Sequence, residues 1–150
     1  MSVKDFRRFL PNILCHIFTS CAKLGVNDRK FWLDLDIIVI NRIKTFHLKN
    51  LATLSHGLLV RDQNGVKTGE ELTALLMTSF IIACEKLKPY TDISSEDLKY
   101  IKICNKTVSK LTEGCIRADI ESNAEVPFEV RYELQLERID NIMLEISRVD

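Results

Sequence analysis

Four lysines in the second half of the 150-residue chain recur at the spacing of one helical face. They stand three, four and four residues apart, at Lys99, Lys102, Lys106 and Lys110. At about 100° per residue, their side chains lie within about 80° of one another on a helix. A row of ammonium groups can contact successive phosphates, and each contact adds salt-dependent affinity. Lysine acts as a point charge, so the row predicts binding to a nucleic-acid backbone rather than reading of bases. A solvated helix face is the alternative interpretation.

Other basic and aromatic residues can join this row. Three cations flank the predicted junction between the second and third helices, at Arg42, Lys44 and Lys49. Three aromatic residues are candidates for stacking on bases, namely Trp32, Tyr90 and Tyr100. Core packing is the favoured interpretation for Trp32, which lies on an apolar helical stripe, whereas Tyr90 stands in a link and is expected to be the most open. The predicted RNA-contacting set is therefore the lysine row with the three flanking cations and Tyr90.

The spacing of polar residues predicts no catalytic or metal site. A P-loop, a dinucleotide fingerprint and a nucleophile elbow are absent from the sequence. His47 and His56 are nine residues apart and point to opposite sides of one helix. The five cysteines show neither CxxC spacing nor the spacing of zinc ligands. This pattern is typical of thiols that serve as small core residues in a reducing compartment. We therefore predict a protein without enzymatic activity, cofactor or metal.

The length, composition and charge of the chain limit the fold classes and the partners that it can have. A chain of this length with 46% hydrophobic residues can form one compact domain over residues 1–150, and only five glycines and three prolines disfavour an all-β fold. The net charge of zero excludes a uniformly basic nucleic-acid coat, yet residues 1–117 carry +6 and residues 118–150 carry −6. This asymmetry fits nucleic-acid contact, an acidic docking segment, or two faces that pack or solvate locally. No apolar run is long enough to predict a transmembrane helix.

Apolar periodicity predicts six helices and no strand. Their approximate ranges are 10–23, 28–46, 48–60, 68–87, 95–115 and 128–148. Residues 37–40 have strand propensity, but the longer periodic pattern around them favours a helix. Asp28, Ser95 and a Thr68–Glu71 capping box are the predicted helix starts. Short links favour antiparallel neighbours, so the predicted fold is all-α, a short α-solenoid of stacked antiparallel helical hairpins.

Two apolar stripes are expected to pack inward or against a partner. In the first helix the stripe consists of Ile13, Ile17, Cys21 and Leu24. In the last helix a seam for a partner helix, in this chain or another, consists of Tyr132, Leu136, Ile139, Met143 and Ile146. The other side of the last helix is acidic and can cover basic surface or stay solvated, with Glu129, Glu133, Glu137 and Asp140.

The first helices resemble a known class of repeats. Leu10–Ile13 aligns with Leu48–Leu51 at an offset of 38 residues. Together with Ala22–Gly25, Phe31–Trp32 and Phe46–Leu58, this segment resembles octotricopeptide and heptatricopeptide-type repeats, which occur in FAST-kinase-like and RAP-domain proteins of organelles. The resemblance covers residues 10–60 well, 61–115 loosely and 118–150 poorly, and no RAP domain is present. It implies an α-solenoid that binds organellar RNA or helps to build a mitochondrial ribosome.

The sequence therefore predicts a non-catalytic RNA-associated helical-repeat protein in mitochondria. In the predicted organisation, residues 10–115 are repeat-like helices and residues 118–150 are an acidic C-terminal helix. A small component of a mitochondrial ribosome that contacts the rRNA backbone is the expected setting. The alternative is a structural or assembly subunit of a large mitochondrial protein complex without RNA contact, because two repeats are few for a free-standing array. Basic and aromatic residues near Lys4–Leu10 give mitochondrial targeting character, which Asp5 weakens.

Overall fold

A computed structural model describes residues 3–149 of the chain. The α-helices are α1 (Pro11–Lys23), α2 (Arg29–Arg42), α3 (Leu48–Gln63), α4 (Glu70–Glu85), α5 (Ser95–Ser122), α6 (Phe128–Arg131) and α7 (Glu133–Val149). Short 3-10 helices cover Val3–Arg8 and Ile43–Thr45. Residues 3–149 contain no β-strand, so the predicted all-α fold class is confirmed. None of the helices in this range combines the length and apolar character needed to cross a bilayer.

Several helices begin where local chemistry predicts. Asp28 accepts a hydrogen bond from the backbone N–H of Phe31 at 3.1 Å and caps α2. Ser94 accepts one from the N–H of Asp97 at 3.0 Å and caps α5, one residue earlier than predicted. Pro11 occupies the first position of α1, where its missing N–H has no partner to lose.

The predicted Thr68 capping box is wrong. α4 begins after Gly69 without a side-chain cap. The Thr68 hydroxyl instead accepts a hydrogen bond from Nη2 of Arg61 at 3.2 Å. A tertiary partner therefore takes the oxygen that the local pattern assigned to the helix end.

The C-terminal third departs most from the predicted ranges. α5 continues to Ser122 and ends where Asn123 adopts a left-handed conformation with φ of 54°. The last predicted helix is divided at Tyr132 into α6 and α7. Arg131 lies next to this division, and its guanidinium forms ion pairs with Glu70 and with Asp119. These pairs join α6 to α4 and α5.

Three helices run in the same direction as one layer. α3 packs between α1 and α5. On the α1 side, the Thr19 hydroxyl donates to the carbonyl of Thr53 at 2.8 Å, and the Asn64 amide donates to the carbonyl of Ala22 at 3.0 Å. Because later residues of α1 meet later residues of α3, the two helices are parallel.

The order of the contacts along α3 and α5 gives the relative direction of these two helices in the same way. The Thr107 hydroxyl donates to the carbonyl of Ser55 at 3.2 Å, and further along, Asp62 and Lys110 line one cavity. α5 is therefore parallel to α3 as well. α4 contacts α2, α3, α5 and α7 and lies behind this layer. A solenoid-type stack is one interpretation of this packing and stays a prediction.

The apolar stripe predicted for α1 is not buried in the core: its two ends point outward, and Ile17 and Cys21 are half-buried. Ile13 is 43% exposed and Leu24 is 82% exposed. The residues of α1 that face the core are Leu14, Cys15, Phe18, Thr19 and Ala22. The reason is that α3 packs against the opposite side of α1. The 38-residue alignment is affected too, because it pairs Ile13 with the fully buried Leu51.

The seam predicted for the last helix packs within this chain. Ile139 and Ile146 are buried together with Ile142, and α7 contacts α4. An ion pair between Arg138 and Glu85 links the same two helices. The partner helix left open by the sequence is therefore α4.

Arg61 is a charged residue at the centre of the core, with only 1% of its surface exposed. Its Nη1 lies 2.7 Å from Oδ1 of Asp36. Its guanidinium carbon lies 5.0 Å from the ring centre of Phe18 and 4.8 Å from that of Trp32. One side chain thus ties α3 to α1 and α2, by an ion pair and by cation–π contacts.

Candidate nucleic-acid interface

The structure places the four predicted lysines together on the solvent side of α5. All four are exposed, and the core side of the helix carries Ile101, Cys104, Val108 and Leu111. In the part of the chain that the structure describes, no carboxylate forms an ion pair with any of them. With a rise of about 1.5 Å per residue, the row extends over roughly 16 Å. Their ammonium groups are thus available to an external anion along this length.

Acidic residues mark the limits of the lysine row. Glu113 follows on the same exposed line, three residues after Lys110. At the other end, the Tyr100 hydroxyl donates to Glu96 at 2.7 Å, and this hydrogen bond raises the pKa of Tyr100 above its ordinary value. The Tyr100 hydroxyl is thus held against its own helix. The cationic stretch is therefore confined to Lys99 through Lys110.

Lys49 extends the row onto the neighbouring helix. Lys49 is exposed near the start of α3, the helix that packs beside α5. His56 is also exposed, about two helical turns beyond Lys49, and sequence reasoning did not include it.

Arg42 and Lys44 differ in their surroundings. Nη1 of Arg42 donates to the backbone carbonyl of Arg7 at 2.8 Å, and the residue is half-buried. It links the N-terminal 3-10 helix to α2, and the contact of Arg42 with RNA stays a prediction. Lys44 is exposed in the turn between α2 and α3.

Tyr90 is not an open stacking residue, and this prediction is wrong. Only 1% of its surface is exposed, and its hydroxyl has no hydrogen-bond partner. Burial is the largest cause that raises the pKa of Tyr90 to about 12, and the neighbouring Cys84, Glu145 and Glu85 contribute to the same rise. The residue has a left-handed backbone with φ of 67°, so the link turns its ring inward, where both α4 and α7 lie near it.

Trp32 packs in the core, as the favoured interpretation of its position predicted. It is 3% exposed, and its indole N–H donates to the carbonyl of Val26 at 2.6 Å. Its ring meets that of Phe18 in an edge-on arrangement with centres 5.0 Å apart. Of the predicted stacking residues, Trp32 and Tyr90 are therefore core residues, whereas Tyr100 is half-buried on α5.

A cavity of about 590 Å³ adjoins the end of the lysine row, between α5 and the α3–α4 loop. Lys110, Lys67 and Arg117 line it together with the carboxylates of Asp62 and Glu113, among others. Lys67 is already paired with Asp62 at 3.3 Å. The mixed charge of this cavity means that it does not lengthen the cationic stretch.

The cysteines are not arranged for metal binding or nucleophilic chemistry. Within residues 3–149, no group of three or more His, Cys, Asp or Glu side chains is placed to hold a metal ion. Burial raises the thiol pKa to about 12 in three of them, Cys15, Cys84 and Cys104. A thiol with so high a pKa is protonated at neutral pH and unreactive.

Comparison with models of known protein families, with curated proteins and with solved structures finds no match for this chain.

Proposed function

We propose that the protein is a non-catalytic RNA-associated helical protein that contacts the phosphate backbone through α5. The observation that carries this proposal is the row of four exposed lysines, all on one side of one helix and none paired with a carboxylate of the described chain. Lys49 adds a fifth exposed cation on the neighbouring helix α3. Because the interface lacks exposed aromatic stacking residues, we expect weak dependence on RNA sequence.

The setting of this function rests on the resemblance of residues 10–60 to organellar helical repeats. We propose that the protein acts in mitochondria as a small component of the ribosome and touches rRNA. The parallel arrangement of α1, α3 and α5 is compatible with repeat-type stacking. A second candidate is a structural subunit of a large mitochondrial complex without RNA contact, which the exposed ends of the apolar stripe of α1 favour.

The lysine row can be tested by the salt dependence of binding. The probe is a labelled single-stranded RNA of mixed sequence, and fluorescence anisotropy is measured over a series of NaCl concentrations. In the test variant Gln replaces Lys99, Lys102, Lys106 and Lys110. If each lysine contacts one phosphate, the slope of log affinity against log salt falls by about 3, because each contact on a single strand contributes about 0.7.

A charge-matched variant separates this interface from nonspecific attraction. Gln replaces four cations that lie outside the proposed interface, Arg29, Lys30, Lys86 and Lys88, all of which are exposed. Both variants lose the same net charge, so the proposal requires that the control keep most of the wild-type slope. An unchanged slope and affinity in the lysine-row variant, or equal losses in the two variants, would refute it.

A further inference from the structure

One edge of the molecule is an uncovered apolar surface with basic neighbours. The outward side of α1 exposes Leu24 at 82%, Leu10 at 64% and Ile13 at 43%. Arg8 and Lys23 are exposed beside it. We call these five residues the basic edge. Leu10 and Leu24 flank α1 at its two ends, and Ile13 lies on its exposed side in the first turn.

Another edge combines exposed apolar residues with carboxylates. On α6 and α7, the exposed apolar residues are Val130 at 57%, Leu134 at 65% and Leu144 at 51%. Between and beside them stand three exposed glutamates, Glu129, Glu133 and Glu137. We call these six residues the acidic edge. Throughout residues 3–149, none of the three glutamates takes part in an ion pair.

The two edges belong to opposite ends of the helical layer. α1 packs on one side of α3, and α5 packs on the other side. α6 is attached to α5, partly through Asp119, whose carboxylate accepts a hydrogen bond from the backbone N–H of Phe128 at 2.6 Å. α7 follows α6 and turns Ile139, Ile142 and Ile146 toward α4, which leaves the acidic edge pointing away from the core.

We infer that the basic edge of one copy docks against the acidic edge of a second copy, so that chains associate head to tail. Each edge presents apolar side chains for the centre of a contact and charges for its rim, which is the usual anatomy of a protein interface. The charges are complementary between the edges, because Arg8 and Lys23 stand on one edge and three glutamates stand on the other. Two basic edges or two acidic edges would repel each other, which disfavours a symmetric dimer.

The contact is heterologous and leaves one edge free at each end. Such an interface permits growth beyond a dimer unless the rotation between copies closes a ring. The lysine row lies on the solvent side of α5 and belongs to neither edge. This inference therefore does not depend on RNA binding.

The test uses two variants of the full chain, each with one edge blocked. The first carries Ile13→Lys and Leu24→Lys, and the second carries Val130→Glu and Leu134→Glu. All four positions are exposed, so we expect both variants to keep the wild-type far-UV circular dichroism spectrum and unfolding midpoint. Sedimentation velocity is measured on nuclease-treated protein over a concentration series, first for each variant and then for an equimolar mixture.

We expect the wild-type chain to associate beyond a dimer as its concentration rises, and each blocked variant alone to associate at least about tenfold more weakly. The mixture should form a one-to-one dimer and nothing larger, because only one intact basic edge and one intact acidic edge remain. The variant with Gln at the four positions of the lysine row should associate like the wild type, which excludes bridging by RNA. A wild-type chain that stays monomeric, a dimer formed by one blocked variant alone, or association unaffected in both variants would overturn the inference.

Discussion

Replacement of Arg61 by Ala tests how the first three helices are held together. The guanidinium is 99% removed from solvent, lies 2.7 Å from a carboxylate oxygen of Asp36 and faces the rings of Phe18 and Trp32. It also donates to Thr68 at 3.2 Å. The substitution removes the ion pair, the hydrogen bond and both cation–π contacts, and it leaves a void in the core.

The expected loss of unfolding free energy is about 3–5 kcal/mol. Removal of one partner of a buried ion pair has this effect in other proteins, because it leaves the other charge uncompensated. The side chain of Asp36 is still 20% exposed, so water can recover part of its solvation. Cation–π contacts of a desolvated arginine contribute about 2 kcal/mol or more. The cation–π contacts and the ion pair involve the same guanidinium, so their energies overlap. The cation–π energies are therefore not added to the loss of about 3–5 kcal/mol.

A pair of apolar replacements gives the control. Arg61→Met combined with Asp36→Leu removes both charges, and we expect this double variant to be more stable than either Arg61→Ala or Asp36→Ala. Urea unfolding followed by circular dichroism measures all four proteins at pH 7. A loss below about 1 kcal/mol for Arg61→Ala, or losses in the double variant equal to the sum of the two single losses, would refute the reasoning.

The pH dependence gives a second readout of the same pair. Burial raises the pKa of Asp36 above its ordinary value of 3.8, and Arg61 partly opposes this rise. When a carboxyl group has a higher pKa in the folded state than in the unfolded state, the free energy of unfolding of the protein falls as the pH rises between these two pKa values. Removal of Arg61 should raise the pKa of Asp36 further. The destabilisation by Arg61→Ala is therefore expected to be smaller near pH 4.5 than at pH 7, and an equal loss at both pH values would contradict this assignment.

Two other regions of the core allow direct tests. In the native protein at pH 8, the half-buried Cys21 and Cys115 should react with a thiol reagent before the three buried cysteines. The buried cysteines should react only at the rate of unfolding. Mass spectrometry of the labelled chain gives the order of reaction. Gly57→Ala should lower the unfolding free energy by about 1–3 kcal/mol, because a Cβ there would lie 2.7 Å from Oγ1 of Thr19. Gly114→Ala, in open space within α5, should instead raise it by up to about 1 kcal/mol, and thermal unfolding of both variants distinguishes the two environments.

Local features of the chain were predictable because they depend on neighbours in the sequence. The cap at Asp28 and the start at Pro11 follow from which backbone groups lack partners at a helix end. The exposed lysine row follows from spacing, because one side of α5 is apolar and must be the inner side. The extension of α5 to Ser122 was not predictable, since residues 116–122 are held through contacts of Asp119 with α6.

Two misassigned surfaces show where periodicity is insufficient. An apolar stripe shows that a helix has an apolar side, but α1 has apolar residues on two sides, and only the position of α3 decides that Leu14 is buried and Ile13 exposed. Tyr90 stands in a short link of polar residues, and its burial depends on a left-handed backbone and on the helices that approach it. The position of α3 beside α1 and the approach of other helices to Tyr90 cannot be predicted from the residues next to them in the sequence.

The sequence by itself determined the all-α class, most helix starts and the lysine row, because turns, caps and helical periodicity act over a few residues. Only the tertiary structure decided that Arg61 reaches Asp36 across 25 positions, that α7 packs on α4, and that the ends of the stripe of α1 face outward. These features depend on which helices become neighbours. That choice is made by the burial of many side chains together, so no single local pattern encodes it.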